Sequence, residues 1–181
     1  MKVIKSNPWG TGIHSPYVYH LVAKVIFGKK SALQEDFSCC RVTGFRVSER
    51  IGHLFRLIDD FQPDTLILAG EGNRFDPSRC DLFMRFRFRQ ISSDEVKWLG
   101  NEKEFVIFDD LKGTLFDIPR YTVPAMWVLW DLQKLEQSLF FTKLRNSQKV
   151  SLTIEVNRMG IVIFNQNFRK QDYQVRRWFL F

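Results

Sequence analysis

Asp64-Thr65-Leu66-Ile67-Leu68-Ala69-Gly70-Glu71-Gly72-Asn73 is the stretch whose reading decides the fold. Its apolar run is short and unbroken rather than alternating, which predicts a β-strand buried on both faces. Gly70 and Gly72 can take backbone angles closed to other residues, and they let another group approach the main chain. A buried parallel strand that ends in such a turn is where open α/β sheets usually bind nucleotide-like ligands. The third glycine of a full dinucleotide fingerprint is missing, so this motif alone does not name a ligand.

Upstream, Gln62-Pro63-Asp64 stops a helix predicted over Ser48 to Phe61. Ile51, Leu54, Phe55, Ile58 and Phe61 make its apolar stripe, and Glu49, Arg50 and Asp59 are expected to face water. Another helix is expected to begin at Ser15-Pro16, where serine caps and proline costs no hydrogen bond. Val18, Leu21, Val22, Val25 and Ile26 lie on one face of it, and Gly28 ends it. Residues 29 to 47 read as a loop.

Downstream, Arg85-Phe86-Arg87-Phe88-Arg89 alternates with a period of two and predicts a strand, Arg85 to Ile91, with an aromatic and a basic face. Ser92 or Ser93 caps a short helix with Asp94 and Glu95 in its first turn and Val96 and Leu99 inward. Glu104 to Asp110 is a second short buried strand, ending in the two carboxylates Asp109 and Asp110, and Ala125 to Trp130 a third, ending at Asp131. A helix from about Asp131 to Leu144 is expected to show Leu132, Leu135, Leu139 and Phe140 on one side. Val150 to Val156 and Ile161 to Phe164 form an antiparallel hairpin at a sheet edge, with Gly160 expected to take the positive φ of its turn. From Arg169 the chain reads as a basic tail with an apolar end at Trp178 to Phe181.

The 181 residues suit one domain, residues 1–181, with 1–47 as an N-terminal helical extension. Eighteen phenylalanines supply ample core and argue against disorder. Net charge is +7, which favours anionic partners such as nucleic acid, nucleotides or a membrane surface; ordinary solubility charge is the alternative. Cys39, Cys40 and Cys80 read as reduced thiols in a cytoplasmic protein. No metal site is expected, because CxxC and HxxxH spacings are absent. No apolar run reaches the roughly 18 residues of a membrane span.

Three segments carry a resemblance. Gly12-Ile13-His14-Ser15-Pro16-Tyr17-Val18-Tyr19 is one. Leu54 to Ile58, leading through to Gly70, is another. The third is Val128 to Asp131 followed by Leu152-Thr153-Ile154-Glu155-Val156-Asn157-Arg158-Met159-Gly160-Ile161-Val162-Ile163-Phe164. Together with parallel strands closed by a hairpin, they resemble the class I S-adenosylmethionine-dependent methyltransferases. They resemble in particular a Bacteroidetes-type subgroup with a GxHSPFxF opening. The resemblance implies a shortened Rossmann-like methyltransferase fold, mostly parallel with a C-terminal antiparallel hairpin. It implies S-adenosylmethionine at Gly70, Glu71, Gly72, Asp109 and Asp110, with Asp131 and His14 towards the methyl acceptor.

The departures point to weak or lost cofactor binding. Leu68 and Ala69 stand where the family carries an acid before the first glycine. Glu71, Asn73 and Arg74 replace further glycines, and a carboxylate at 71 would face that of the ligand. No acid ends the Arg85 to Ile91 strand; Asp94 and Glu95 are the nearest. Trp130 takes the place of the first of two closing acids.

From the residues alone, Asp109, Asp110 and Asp131 share one strand edge and could orient an amine or hold a cation such as Mg²⁺. Capping the turns that follow is the plainer alternative. His14 has packing beside Pro16 as its plainer role. No serine or cysteine nucleophile motif supports hydrolase chemistry. A competing class is a non-catalytic module whose basic surface holds nucleic acid or an acidic partner. The arginine strand would then meet phosphates and its rings would stack on bases. A strand with buried rings and solvated arginines guarding a sheet edge is the alternative.

Overall fold

The computed structural model describes residues 2–5, 15–28, 45–70, 72, 75, 84–111 and 117–176. They form a mixed α/β fold around one eight-stranded sheet. The strands are β1 (Lys2–Lys5), β2 (Thr65–Ala69), β3 (Arg87–Ile91), β4 (Glu104–Phe108), β5 (Ala125–Leu129), β6 (Leu152–Val156), β7 (Met159–Phe164) and β8 (Gln171–Arg176). Their order across the sheet is β1-β8-β6-β7-β5-β4-β2-β3. β7 is antiparallel to both of its neighbours, and every other pair is parallel. This is a Rossmann-like open sheet, mostly parallel, with the expected C-terminal hairpin.

Helix α1 (Pro16–Tyr19) runs on as a π-helical stretch, His20–Ile26, and is followed by α2 (Phe45–Phe61). The third helix, α3 (Leu135–Asn146), covers the opposite face. Alternation along the strands divides the core. Leu66, Leu68, Phe105, Ile107, Met126 and Val128 pack with the residues of α1 and α2. Ile67, Ala69, Val106, Phe108, Trp127 and Leu129 pack with Phe140, Phe141 and Leu144 of α3. Both faces are covered, which is why β2, β4 and β5 read as unbroken apolar runs.

The helix starts follow their caps. Ser15 Oγ accepts from the Val18 amide at 3.4 Å, and Pro16 holds the first helical position. Val18, Leu21, Val22, Val25 and Ile26 are all buried, as are Val96 and Leu99.

Several expectations are corrected. Helix α2 begins at Phe45 rather than Ser48. Arg50 is buried rather than solvated. β3 starts only at Arg87, with Arg85 and Phe86 in the turn before it. The hairpin is interior to the sheet, because the supposed basic tail forms β8 beside β6. The N-terminal extension is not purely helical, since β1 pairs with β8 and ends the sheet. Gly160 lies within β7, and the positive φ angles fall on Asn157 (48°) and Arg158 (67°). Leu135 and Leu139 are exposed whereas Phe140 is buried, so they do not share one face. Cys39, Cys40, Cys80 and Trp178 to Phe181 lie outside the described residues. Among the described residues, no helix is long and apolar enough to cross a membrane.

Candidate functional site

The chain leaves β2 for β3 on one side and returns to β4 on the other. That reversal makes the carboxyl ends of β2 and β4 the crevice where such sheets bind ligands. Gly70, Gly72, Asp109 and Asp110 all lie there, and Asp131 follows the next strand, β5. The fold therefore brings five of the seven expected site residues to one edge. Glu71 and His14 lie outside the described residues.

What surrounds these residues is protein. Gly70 has φ +107°, and its amide donates to Ile91 O at 3.0 Å. A Cβ on Gly70 would run into the backbone carbonyl of Asp110, and a Cβ on Gly72 into the Asp109 carboxylate. Both glycines are thus required by the close approach of the end of β4.

The carboxylates are similarly engaged. Asp109 is fully buried beside Gly72. Asp110 Oδ1 accepts from Lys134 Nζ at 2.7 Å. Asp131 caps the turn that leads into α3: its Oδ1 accepts from the Gln133 amide at 3.2 Å, and its carbonyl from that of Lys134 at 3.0 Å. Arg50 lies 3.9 Å from the same Asp131 oxygen. Among the described residues, no group of three or more His, Cys, Asp or Glu side chains could hold a metal ion.

Two side chains that sequence reasoning missed organise this edge. Gln137 is fully buried. Its Nε2 donates to Phe108 O at 3.4 Å and Asp109 O at 3.1 Å, and its Oε1 accepts from the Asp131 amide at 2.8 Å. One side chain therefore ties the ends of β4 and β5 together. A glutamine within a helical repeat reads as a solvent-facing residue, so its sequence carries no signal of this role. Arg50 of α2 donates to Trp130 O at 3.1 Å, and its guanidinium lies 5.0 Å from the Trp130 ring centre. The Phe75 ring meets Trp130 edge-on at 5.1 Å. An arginine beside an apolar stripe again reads as solvated; only its packing against β5 makes it interior.

The basic strand is at the opposite side of the crevice. Arg85, Arg87 and Arg89 are exposed, and Arg87 pairs with Glu102 at 2.9 Å. Phe86 and Phe88 are half-buried and pack on the core. These rings serve the fold, and base stacking requires free faces. At the end of β3, the Glu95 carboxylate accepts from the Ser92 amide at 2.7 Å and the Ser92 hydroxyl at 2.8 Å. The Asp94 side chain lies outside the described residues.

With this geometry in view, comparison supplies no precedent. No family model, curated protein or solved structure matches this chain.

Proposed function

We propose that the chain is a diverged S-adenosylmethionine-dependent methyltransferase-like protein whose cofactor binding is weak or lost. The architecture agrees with the one that the sequence resemblance implies: a mostly parallel sheet, a glycine turn after β2 at the strand-order reversal, and a closing antiparallel hairpin. The observation that carries the loss is the contact of Gly72 with the Asp109 carboxylate. The room that glycine provides at this edge is filled by the protein's own acid. The Asp110–Lys134 pair and the Glu95–Ser92 cap point the same way, since acids that could meet the ligand are engaged internally. These residues do not fit the cofactor as they stand.

Thermal unfolding with S-adenosylmethionine or S-adenosylhomocysteine tests the proposal. A ligand present at a hundred times its dissociation constant adds about 2.7 kcal/mol. In a domain of this size that raises the midpoint by roughly 5–10 °C. The expected result at millimolar ligand is a shift below about 2 °C. A shift in the higher range would overturn the loss and make the crevice a working cofactor site. Gly70→Val is an unsuitable control, because its side chain would strike the Asp110 carbonyl whatever the ligand does.

A further inference from the structure

The edge opposite the crevice holds a cavity of about 150 Å³. It lies where β6 and β8 begin, at Leu152 and Gln171, beneath the start of α1 at Ser15. Cavities near 150 Å³ accept a single aromatic ring. The lining suits one. Val18 and Leu152 are buried apolar walls. Tyr17 and Phe168 also line it, their rings 4.7 Å apart and tilted by 43°, and aromatic side chains are favourable neighbours for a further ring.

The polar groups select the charge. Among the described residues, Arg169 is the one formally charged member of the lining, and no carboxylate contributes to it. Arg169 is exposed, and among the described residues no acid pairs with it. Gln171 Oε1 already accepts from the Tyr173 hydroxyl at 2.6 Å, which leaves its amide N–H groups as the donors it offers. Burial, with the Asp60 carboxylate adding to it, pushes the Tyr17 hydroxyl up to about 12, so the ring is neutral at working pH. Apolar walls with a few convergent donors are the usual make-up of a small-molecule site.

We propose that this cavity binds a small monocyclic aromatic carboxylate, with its ring beside Tyr17 and Phe168 and its carboxylate at Arg169. The site is independent of the crevice and of the fate of the cofactor there.

The test is a titration of the full chain with benzoate, and separately with neutral benzyl alcohol, followed by two-dimensional amide NMR. Arg169→Gln removes the charge at an exposed position, and Asn167→Trp narrows the mouth at another. Benzoate is expected to move the amide signals of Tyr17, Val18 and Phe168 and to saturate. Arg169→Gln should weaken benzoate about two- to fivefold, the range of an exposed ion pair, and leave benzyl alcohol unchanged. Asn167→Trp should weaken both ligands while the unfolding midpoint stays at the wild-type value. The proposal fails if benzoate leaves these signals unmoved at about 20 mM, where a millimolar site is nearly saturated. It fails equally if Arg169→Gln binds benzoate as the wild type does.

Discussion

A single turn shows how much one residue's neighbours matter. Sequence reading places the positive φ of the hairpin at Gly160. The structure places it at Asn157 and Arg158, the two central residues of a tight hairpin turn. Gly160 is needed for a different reason: a Cβ there would come within 2.6 Å of the Phe141 ring and 3.2 Å of Leu132. The two positions should therefore respond in opposite ways. Gly160→Ala overpacks the α3 face and is expected to cost about 1–3 kcal/mol. Arg158→Gly relieves a left-handed backbone, and the relief of roughly 1–2 kcal/mol exceeds the entropy that glycine loses on folding. Urea unfolding of both variants checks the pair; the reverse ordering would put the strain at Gly160. Gln137 and Arg50 make the same point. Both are polar residues in helices, and only the carbonyls they reach, at Phe108, Asp109 and Trp130, explain their burial.

Among elements, the strands were more legible than the helices. β2 spans the expected residues, because a strand buried on both faces leaves its full length apolar, and β4 starts as expected at Glu104 but ends at Phe108, before the two acids. Helix α3 differs from its sequence expectation in both start and face. Asp131 holds a turn that delays the helix to Leu135. Its rotation is then fixed by the hydrogen bonds of Gln137 and by Phe141 seated against Gly160. Gln137, Phe140, Phe141 and Leu144 consequently face inward, and Leu135 and Leu139 are left 68% and 54% exposed. Leu139→Lys should change stability by less than about 0.5 kcal/mol, as exposed substitutions usually do. Phe140→Ala should cost about 3–5 kcal/mol, because its ring is buried between Phe108 and Trp127. Equal losses in calorimetry would mean that the leucine stripe is the packed face after all.

At the scale of the whole molecule, a buried polar chain links the sheet to its surroundings at the start of β4. Trp127 Nε1 donates to the Tyr121 hydroxyl at 2.7 Å, and the Gly100 amide donates to Glu104 at 3.1 Å, with Tyr121 acting on the same carboxyl. Burial is the main cause that raises the Glu104 carboxyl above its ordinary 4.5; its hydrogen bonds pull the other way. The folded protein therefore holds this proton more tightly than the unfolded chain. Its contribution is complete below about pH 4.5 and is lost as pH rises through the folded value. Relative to Glu104→Gln, the wild type should lose stability from about pH 4.5 towards neutrality. Glu102, lowered first by its Thr65 hydrogen bond and then by Arg87, acts in the opposite direction. Comparison with the glutamine variant cancels that effect, and unfolding midpoints across pH read the difference. A constant gap between the two proteins would show that Glu104 titrates alike in both states.

The class of fold, the central strands, the capped first helix and the gathering of Gly70, Gly72, Asp109, Asp110 and Asp131 at one edge are all legible in the order of residues. Those features follow from local chemistry: apolar period, caps, and the rule that consecutive parallel strands end on the same side. What the edge residues touch depends instead on contacts between distant segments. The approach of β4 to the glycine turn, the insertion of Gln137, and the Lys134–Asp110 pair join residues far apart in the chain. The same holds for β8 and β1, which complete the sheet from segments that read as a tail and a helical extension. β8 finds its hydrogen-bonding partner at the open edge of β6, and β1 finds its own at the edge of β8, partners that exist only in the folded sheet.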